Sequence, residues 1–181
     1  MRKLLLLAAF IIPLLCNAQG KRSSSAKTCA PTVNGKICYV DKVNMTNVSQ
    51  EELFSVINKW AKRKYGNIFV SNIASDKAKG TIFVSSKVEL LMSKREKTFM
   101  KFKMYITCTN ENYVIVVTDI AYQYENPDGK KRTYLAEEVI INEGKENKVS
   151  VIKDPLLFCN ATRDFVDNLF GDIFYVTWEG N

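Results

Sequence analysis

Five carboxylates are the residues of this chain whose type and position could do chemistry: Glu89, Glu111, Asp119, Glu137 and Glu138. Two carboxylates in different environments can act as general acid and nucleophile, which is the chemistry of glycoside hydrolysis. Asp119 is the most notable, because it lies inside the apolar segment 113–124, where an unpaired carboxylate would be costly. Structural ion pairs also perturb carboxylates, so an exposed or turn-adjacent Asp119 is the competing interpretation.

The chain contains no histidine. This absence excludes Ser-His-Asp and Cys-His catalysis, the usual zinc hydrolase sites and a proton shuttle that titrates near neutral pH. Paired carboxylates and Ser-Lys chemistry remain open. No catalytic constellation is recognisable, so we expect a protein that is not an enzyme and that has no cofactor or metal site.

The cysteines outside the leader are Cys29, Cys38, Cys108 and Cys159. No C-x-x-C spacing occurs, which argues against a cysteine-only zinc site. Cys108 ends an inward-facing alternation and is predicted to be a buried thiol. Cys29 and Cys38 flank Asn34-Gly35, a hairpin-type turn, and form the predicted disulfide if the hairpin register allows it.

The net charge is +7, and it becomes +5 when the two basic leader residues are removed. A basic exported protein favours anionic partners, although solubility alone also explains the charge. The predicted contacts for an anionic partner lie on two turns: Lys94, Arg95 and Lys97, then Lys130, Lys131 and Arg132. A third basic group, residues 62–64, is explained by the negative end of a helix.

The first eighteen residues have the layout of a secretory signal peptide. A basic start precedes an apolar run from Leu4 to Leu15, and cleavage is predicted between Ala18 and Gln19. Cys16 would suit a lipoprotein, but Leu15 before it is too large for the lipoprotein peptidase. We expect an exported protein, periplasmic or secreted, of 163 residues, without a transmembrane segment in the mature chain. Residues 19–35 are predicted to be a flexible leader.

A single α+β domain is predicted over residues 36–174. Ser49 and Glu52 form a capping box at the start of a helix, and an apolar stripe that includes Trp60 follows. One strand precedes this helix, and four strands with short links follow it, at 67–75, 80–91, 98–108 and 113–124. A second helix is predicted from the N-cap Asn160 to residue 174.

The remaining segments are a surface excursion at 125–154 and a loose tail at 175–181. The order of strand, helix, four strands and helix predicts one curved antiparallel sheet with helices packed on its apolar face.

The chain resembles the family called domain of unknown function 4468. The similar segments are Ser49-Gln50-Glu51-Glu52-Leu53 with Trp60-Ala61, Lys79-Gly80-Thr81-Ile82, and Tyr113 with Val117-Thr118-Asp119-Ile120. The resemblance covers residues 39–171 and implies a TATA-binding-protein-like fold in an exported protein of Gram-negative bacteria. It implies no active residue.

Three functions follow, from different classes. The first is a non-enzymatic envelope module that binds a partner, with an envelope protein or an anionic glycan as the expected partner. The second is a carboxylate-dependent hydrolase of envelope glycans, which needs a pocket lined by two of the acids. The third is a binder of nucleic acid or another anionic polymer, which needs a basic stripe with exposed aromatic residues on one face. Nucleic acid is disfavoured, because the export signal separates the chain from chromosomal DNA and fold alone does not fix function.

Overall fold

A computed structural model describes residues 30–93, 96–126, 128–141, 149 and 151–179. The predicted signal peptide and its cleavage site lie outside these residues, as do Cys29, Lys94 and Arg95. The eight strands within them are β1 (Thr32–Val33), β2 (Lys36–Ile37), β3 (Tyr39–Asn44), β4 (Asn72–Asp76), β5 (Thr81–Leu91), β6 (Lys97–Thr109), β7 (Asn112–Glu125) and β8 (Lys131–Leu135). The three helices are α1 (Gln50–Tyr65), α2 (Ala136–Ile140) and α3 (Pro155–Glu179).

Six strands form one antiparallel sheet in the order β3-β7-β6-β5-β4, with β8 also paired to β7. The long strand β7 has β6 along one edge. On its other edge it pairs first with β3, through residues 112–117, and then with β8, through residues 121–125. The strands from β4 to β7 follow one another through short links, so the predicted antiparallel meander is confirmed.

The long helices α1 and α3 contact each other and pack on the apolar face of the sheet. The predicted capping box is present. The Ser49 hydroxyl accepts a hydrogen bond from the Glu52 amide, and the Glu52 carboxylate accepts one from the Ser49 amide over 2.9 Å. Trp60 is buried, as the stripe predicts. The predicted fold class, a curved antiparallel sheet with helices on one face, is confirmed.

The C-terminal helix is longer than predicted at both ends. It begins at Pro155, which suits the first helical position, and the Asp154 carboxylate accepts the amide of Leu157 over 3.1 Å. Asn160 is therefore inside the helix, and its prediction as the N-cap is wrong. The helix continues through Gly171 to Glu179, so residues 175–179 of the predicted tail are helical.

Two other predicted irregular segments contain regular structure. Residues 32–35 of the predicted flexible leader belong to a hairpin of β1 and β2, whose turn residues Asn34 and Gly35 both have positive φ, as a two-residue hairpin turn requires. The predicted excursion at 125–154 contains β8 and α2. Helix α2 buries Ala136 and Val139 against the rest of the core.

No helix in the described part of the chain is long and apolar enough to cross a membrane.

Candidate binding surface

The central strand β6 shows why the sheet has two different faces. Its side chains alternate between buried and solvent-facing over thirteen residues. The buried set comprises Thr98, Met100, Phe102, Met104, Ile106 and Cys108, which face the helices. The other set begins with Lys97, Phe99, Lys101, Lys103 and Tyr105, and these residues lie on the face that the helices leave uncovered.

An apolar row crosses five strands of this uncovered face. The register pairs Ala74 with Phe83, Phe83 with Tyr105, Tyr105 with Val116, and Val116 with Val40. Residues directly opposite each other on neighbouring strands lie on the same face, so the five side chains form a continuous row. The rings of Phe83 and Tyr105 are 5.0 Å apart, and Tyr105 is 43% exposed. This apolar row offers flat ring surface to a ligand.

A lysine cluster, Lys87, Lys101 and Lys103, lies beside the apolar row. Lys87 on β5 is directly opposite Lys101 on β6, and Lys103 is the next residue on the same face of β6. Like charges directly opposite each other destabilise a sheet. The Lys87 ammonium lies 4.4 Å from the centroid of the Phe99 ring and donates a hydrogen bond to Gln123. Two lysines thus lie directly opposite each other next to exposed aromatic rings, and Phe99 and Gln123 hold the Lys87 ammonium.

Asp119 lies at the edge of the lysine cluster, in a β-bulge of β7. The register of β6 and β7 shifts by one residue between Lys101 and Lys103, and Asp119 adopts a left-handed φ of 52° there. Its carboxylate accepts hydrogen bonds from Lys103 over 2.9 Å and from Lys36 over 3.2 Å. The hydrogen bond from Lys103, reinforced by that from Lys36, holds the pKa of Asp119 below its usual range. Asp119 is thus an ionised, paired residue of the bulge.

The other four candidate carboxylates each have a structural partner. Glu89 forms an ion pair with Lys97 over 2.9 Å, and Glu111 accepts the Asn47 amide over 3.3 Å. The two glutamates of α2 bind backbone amides over 2.9 Å: Glu137 accepts from Ile37, and Glu138 accepts from Leu135. In the described residues, no group of three or more acidic or cysteine side chains could hold a metal ion.

Two of the four predicted basic contacts that the structure describes form ion pairs. Lys97 pairs with Glu89, Lys131 lies opposite Glu125 in the β7–β8 register, and the Arg132 guanidinium lies 3.3 Å from the Asp128 carboxylate. The Lys130 amide also donates to Asp128.

Sequence reasoning missed Lys87 as a contact residue. The predicted inward-facing alternation that ends at Cys108 implies an outward-facing set that includes Lys101, Lys103 and Tyr105, which sequence reasoning did not join to a site. The alternation of β6 was the available signal, but the juxtaposition with Lys87 depends on the β5–β6 register.

The predicted Cys29–Cys38 disulfide includes Cys29, which lies outside the described residues. The hairpin register pairs Thr32 with Ile37, and the Cys38 amide donates to the Pro31 carbonyl over 3.0 Å. Cys159 on α3 is disulfide-bonded, and Cys108 is a free, buried thiol, as predicted.

The chain is similar in fold to two proteins of known structure. A crystal structure of a TBP-like protein from Parabacteroides distasonis is 55% identical in sequence, covers 82% of this chain and 96% of that one, and superposes with a TM-score of 0.77. The family model described as a domain of unknown function (DUF4468) with TBP-like fold matches residues 39–123. The chain belongs to the DUF4468 family. A DUF4468 protein from Bacteroides ovatus shares the fold at 23% identity and a TM-score of 0.70, covering 82% of this chain and 90% of that one. No curated protein sequence matches the chain.

The segment that matches the DUF4468 model runs from the start of β3 nearly to the end of β7. It contains every residue of the apolar row and of the lysine cluster. Helix α3 lies beyond the matched segment. The apolar row and the lysine cluster are therefore built entirely from the segment that matches the family model.

Proposed function

We propose that this DUF4468 protein is a non-enzymatic binding module, exported to the cell envelope, that holds an anionic glycan chain on the uncovered face of its sheet. The observation that carries the proposal is the placement of Lys87 directly opposite Lys101 beside the apolar row. A carboxylate or sulfate of the glycan would lie between the two ammonium groups and relieve their repulsion. The rings of Phe83 and Tyr105 would pack against the apolar faces of the sugars.

The roles of the carboxylates support a binder over a hydrolase. A retaining or inverting glycosidase needs two carboxyl groups facing one substrate bond. Asp119 accepts hydrogen bonds from two ammonium groups. Glu137 and Glu138 accept hydrogen bonds from backbone amides at the end of β2 and the start of α2. These partners account for the positions of the acids without a substrate.

The composition of the sheet favours a glycan over nucleic acid. The uncovered face does combine cations with exposed rings, which is the arrangement that an anionic-polymer binder needs. However, none of the five strands β3 to β7 contains an arginine. Arginine is the side chain that nucleic-acid binders most often place against phosphate groups and in minor grooves, whereas lysine acts as a point charge. The predicted export also takes the chain to the compartment of envelope glycans.

The proposal is tested by measuring the affinity of the mature chain, beginning at Gln19, for polygalacturonate, for neutral dextran and for a single-stranded oligonucleotide. We expect the protein to bind polygalacturonate, with an affinity that falls with salt because exposed charges are screened. The double variant Lys87→Gln/Lys101→Gln should bind about tenfold more weakly, since it loses two exposed charge contacts worth about 0.2–1 kcal/mol each. The matched control Lys130→Gln/Lys131→Gln removes the same charge from another surface and should bind like wild type.

Three results would overturn the proposal. Equal weakening by the two double variants would mean that only net charge matters. Tighter binding to the oligonucleotide than to polygalacturonate would favour the nucleic-acid alternative. Binding to dextran as strong as binding to polygalacturonate would mean that the lysine cluster takes no part.

A further inference from the structure

The last two turns of α3 carry three exposed aromatic residues, far from the uncovered sheet face. Phe174 is 44% exposed, Tyr175 is 59% exposed and Trp178 is 68% exposed. The rings of Phe174 and Trp178 are stacked with centroids 6.0 Å apart. Large aromatic side chains grouped at the surface indicate a binding site more often than single exposed apolar residues do. We call these three residues the aromatic end.

A basic ridge lies beside the aromatic end. It consists of exposed cations on the C-terminal half of α1: Lys59, Lys62, Arg63 and Lys64. Lys59, Arg63 and Lys64 line one side of a groove whose other side includes Tyr175 and Glu179 of α3. The ridge and the aromatic end are therefore neighbours across this groove.

The charge of the ridge exceeds that of the acids lining the groove. Asp172 pairs with Lys64, whose ammonium also lies 5.5 Å from the centroid of the Trp60 ring. Glu179 accepts a hydrogen bond from the Tyr175 hydroxyl. Three cations of the ridge thus line the groove with two carboxylates that are already engaged, and the fourth cation, Lys62, lies outside the groove lining. The excess positive charge is available to an anionic partner.

We infer that the aromatic end and the basic ridge together dock on the surface of an anionic lipid bilayer. Tryptophan and tyrosine have an apolar ring and a polar tip, which suits them to the boundary between headgroups and acyl chains. Cations beside such rings attract anionic headgroups, each by about fivefold in binding. A surface that combines both features at the end of a helix matches the chemistry of this boundary.

The position of the two surfaces is consistent with simultaneous binding. Helices α1 and α3 cover one face of the sheet, and the lysine cluster lies on the other face. A protein docked through its helices would leave the uncovered sheet face pointing away from the bilayer. Bilayer docking does not depend on the glycan proposal, and each can fail without the other.

The test uses the two tryptophans of the chain. Trp60 is 4% exposed and Trp178 is 68% exposed, so a shift of emission on vesicle addition reports Trp178. With vesicles of phosphatidylcholine containing phosphatidylglycerol, we expect the mature chain to co-sediment and its emission to shift to shorter wavelength. Neither effect is expected with pure phosphatidylcholine, or with inorganic phosphate at the same ionic strength.

Variants separate the contributions to docking. Lys59→Gln/Arg63→Gln should weaken co-sedimentation by more than about tenfold, because two cations near the surface are lost. Trp178→Ala should weaken it as well and abolish the emission shift. Lys130→Gln/Lys131→Gln and Lys87→Gln/Lys101→Gln should bind vesicles like wild type, the latter because it alters only the sheet face. Circular dichroism verifies that each variant is folded.

Absence of co-sedimentation would overturn the inference. So would an emission shift that depends on protein concentration without vesicles, which would assign the aromatic end to an interface with a second copy. An equal loss of vesicle binding for the Lys130→Gln/Lys131→Gln control would also overturn it, because it would mean that only net charge drives the binding.

Discussion

The carbonyl oxygen of Cys108 lies against the Cα of Gly80, at the point where the chain enters β5. The Cys108 amide donates to the Gly80 carbonyl over 2.8 Å, and a Cβ built on Gly80 would lie 2.4 Å from the Cys108 carbonyl oxygen. Gly80 also has a left-handed φ of 64°. Close backbone approach and a positive φ together require glycine here.

Replacement of Gly80 by alanine should lower the free energy of unfolding by more than about 2 kcal/mol, because backbone strain and a steric clash add. Gly35→Ala is the matched control: its φ is also positive, at 75°, but its Cβ would meet nothing within 4 Å. It should cost only about 1–2 kcal/mol, from the left-handed backbone alone. Urea denaturation of the three proteins measures the difference, and equal losses would contradict the close approach.

Replacement of Trp60 by alanine should lower the free energy of unfolding by about 3–5 kcal/mol, which is the usual cost of deleting a large core aromatic residue. Its ring packs edge-on against Tyr65, with centroids 6.0 Å apart. Trp178→Ala removes the same side chain from an exposed position and should cost less than about 1 kcal/mol. A shift for Trp60→Ala as small as that for Trp178→Ala would mean that Trp60 does not belong to the core.

Local signals in the sequence were sufficient to predict the main elements. The capping box at Ser49 depends on residues three apart, and the turn at Asn34-Gly35 depends on two adjacent residues, so both were predicted correctly. The start of α3 was also encoded locally, by Asp154 followed by Pro155. The sequence analysis instead placed the N-cap at Asn160, which lies later in the chain and is also a common N-cap residue. The alternation in β6 correctly divided buried residues from exposed ones.

Long-range pairing was the part that the sequence could not supply. The position of β3 along one edge of β7 depends on contacts between distant segments. Strand β8 follows β7 directly along the chain, but its irregular composition concealed it. The candidate site depends on register: a shift of one residue would place Lys87 opposite a core residue of β6 instead of Lys101. Asp119 was recognised as unusual, but its partner Lys36 lies 83 residues away along the chain, and no local pattern joins the two.

Replacement of Asp119 by asparagine should lower the free energy of unfolding less than replacement by alanine. An asparagine side chain at this position accepts the left-handed φ of the bulge and loses only exposed ion pairs, so Asp119→Asn should cost less than about 1 kcal/mol. Asp119→Ala loses the ion pairs and also strains the backbone, and it should cost about 1–2 kcal/mol more. Thermal and urea denaturation measure both. Equal losses for the two variants would show that charge, which both of them remove, rather than backbone conformation, fixes this residue.

Removal of the hydroxyl group should affect stability differently at two buried tyrosines. The Tyr122 hydroxyl lies 2.6 Å from that of Thr162, so Tyr122→Phe should lower the free energy of unfolding by about 0.5–1.5 kcal/mol. The buried Tyr65 hydroxyl has no hydrogen-bond partner among the described residues. Tyr65→Phe should leave stability unchanged or raise it by up to about 1 kcal/mol. Destabilisation by Tyr65→Phe equal to that of Tyr122→Phe would indicate a bonded hydroxyl.

The stability of the protein should decline in alkaline solution through buried groups that resist ionisation. Burial raises the pKa of the Cys108 thiol from 9.0 to about 12 and that of the Tyr39 hydroxyl from 10.0 to about 12. Because the folded pKa exceeds the unfolded one, each neutral group contributes stability that is complete below its unfolded pKa. That contribution is lost as the pH rises from about 9 toward 12. Urea denaturation across this range should show the decline.

Cys108→Ala is the matching variant for the alkaline experiment. It should be less stable than wild type at neutral pH, because a buried side chain is truncated. Its stability should then fall less steeply above pH 9, since one of the two groups no longer ionises on unfolding.

Alkylation followed by peptide mapping gives an independent check. Native Cys108 should stay unmodified at a pH where the unfolded chain is alkylated at once, because the thiolate is the reactive form. Rapid alkylation of the native protein at Cys108 would contradict both the burial of this thiol and the predicted alkaline decline.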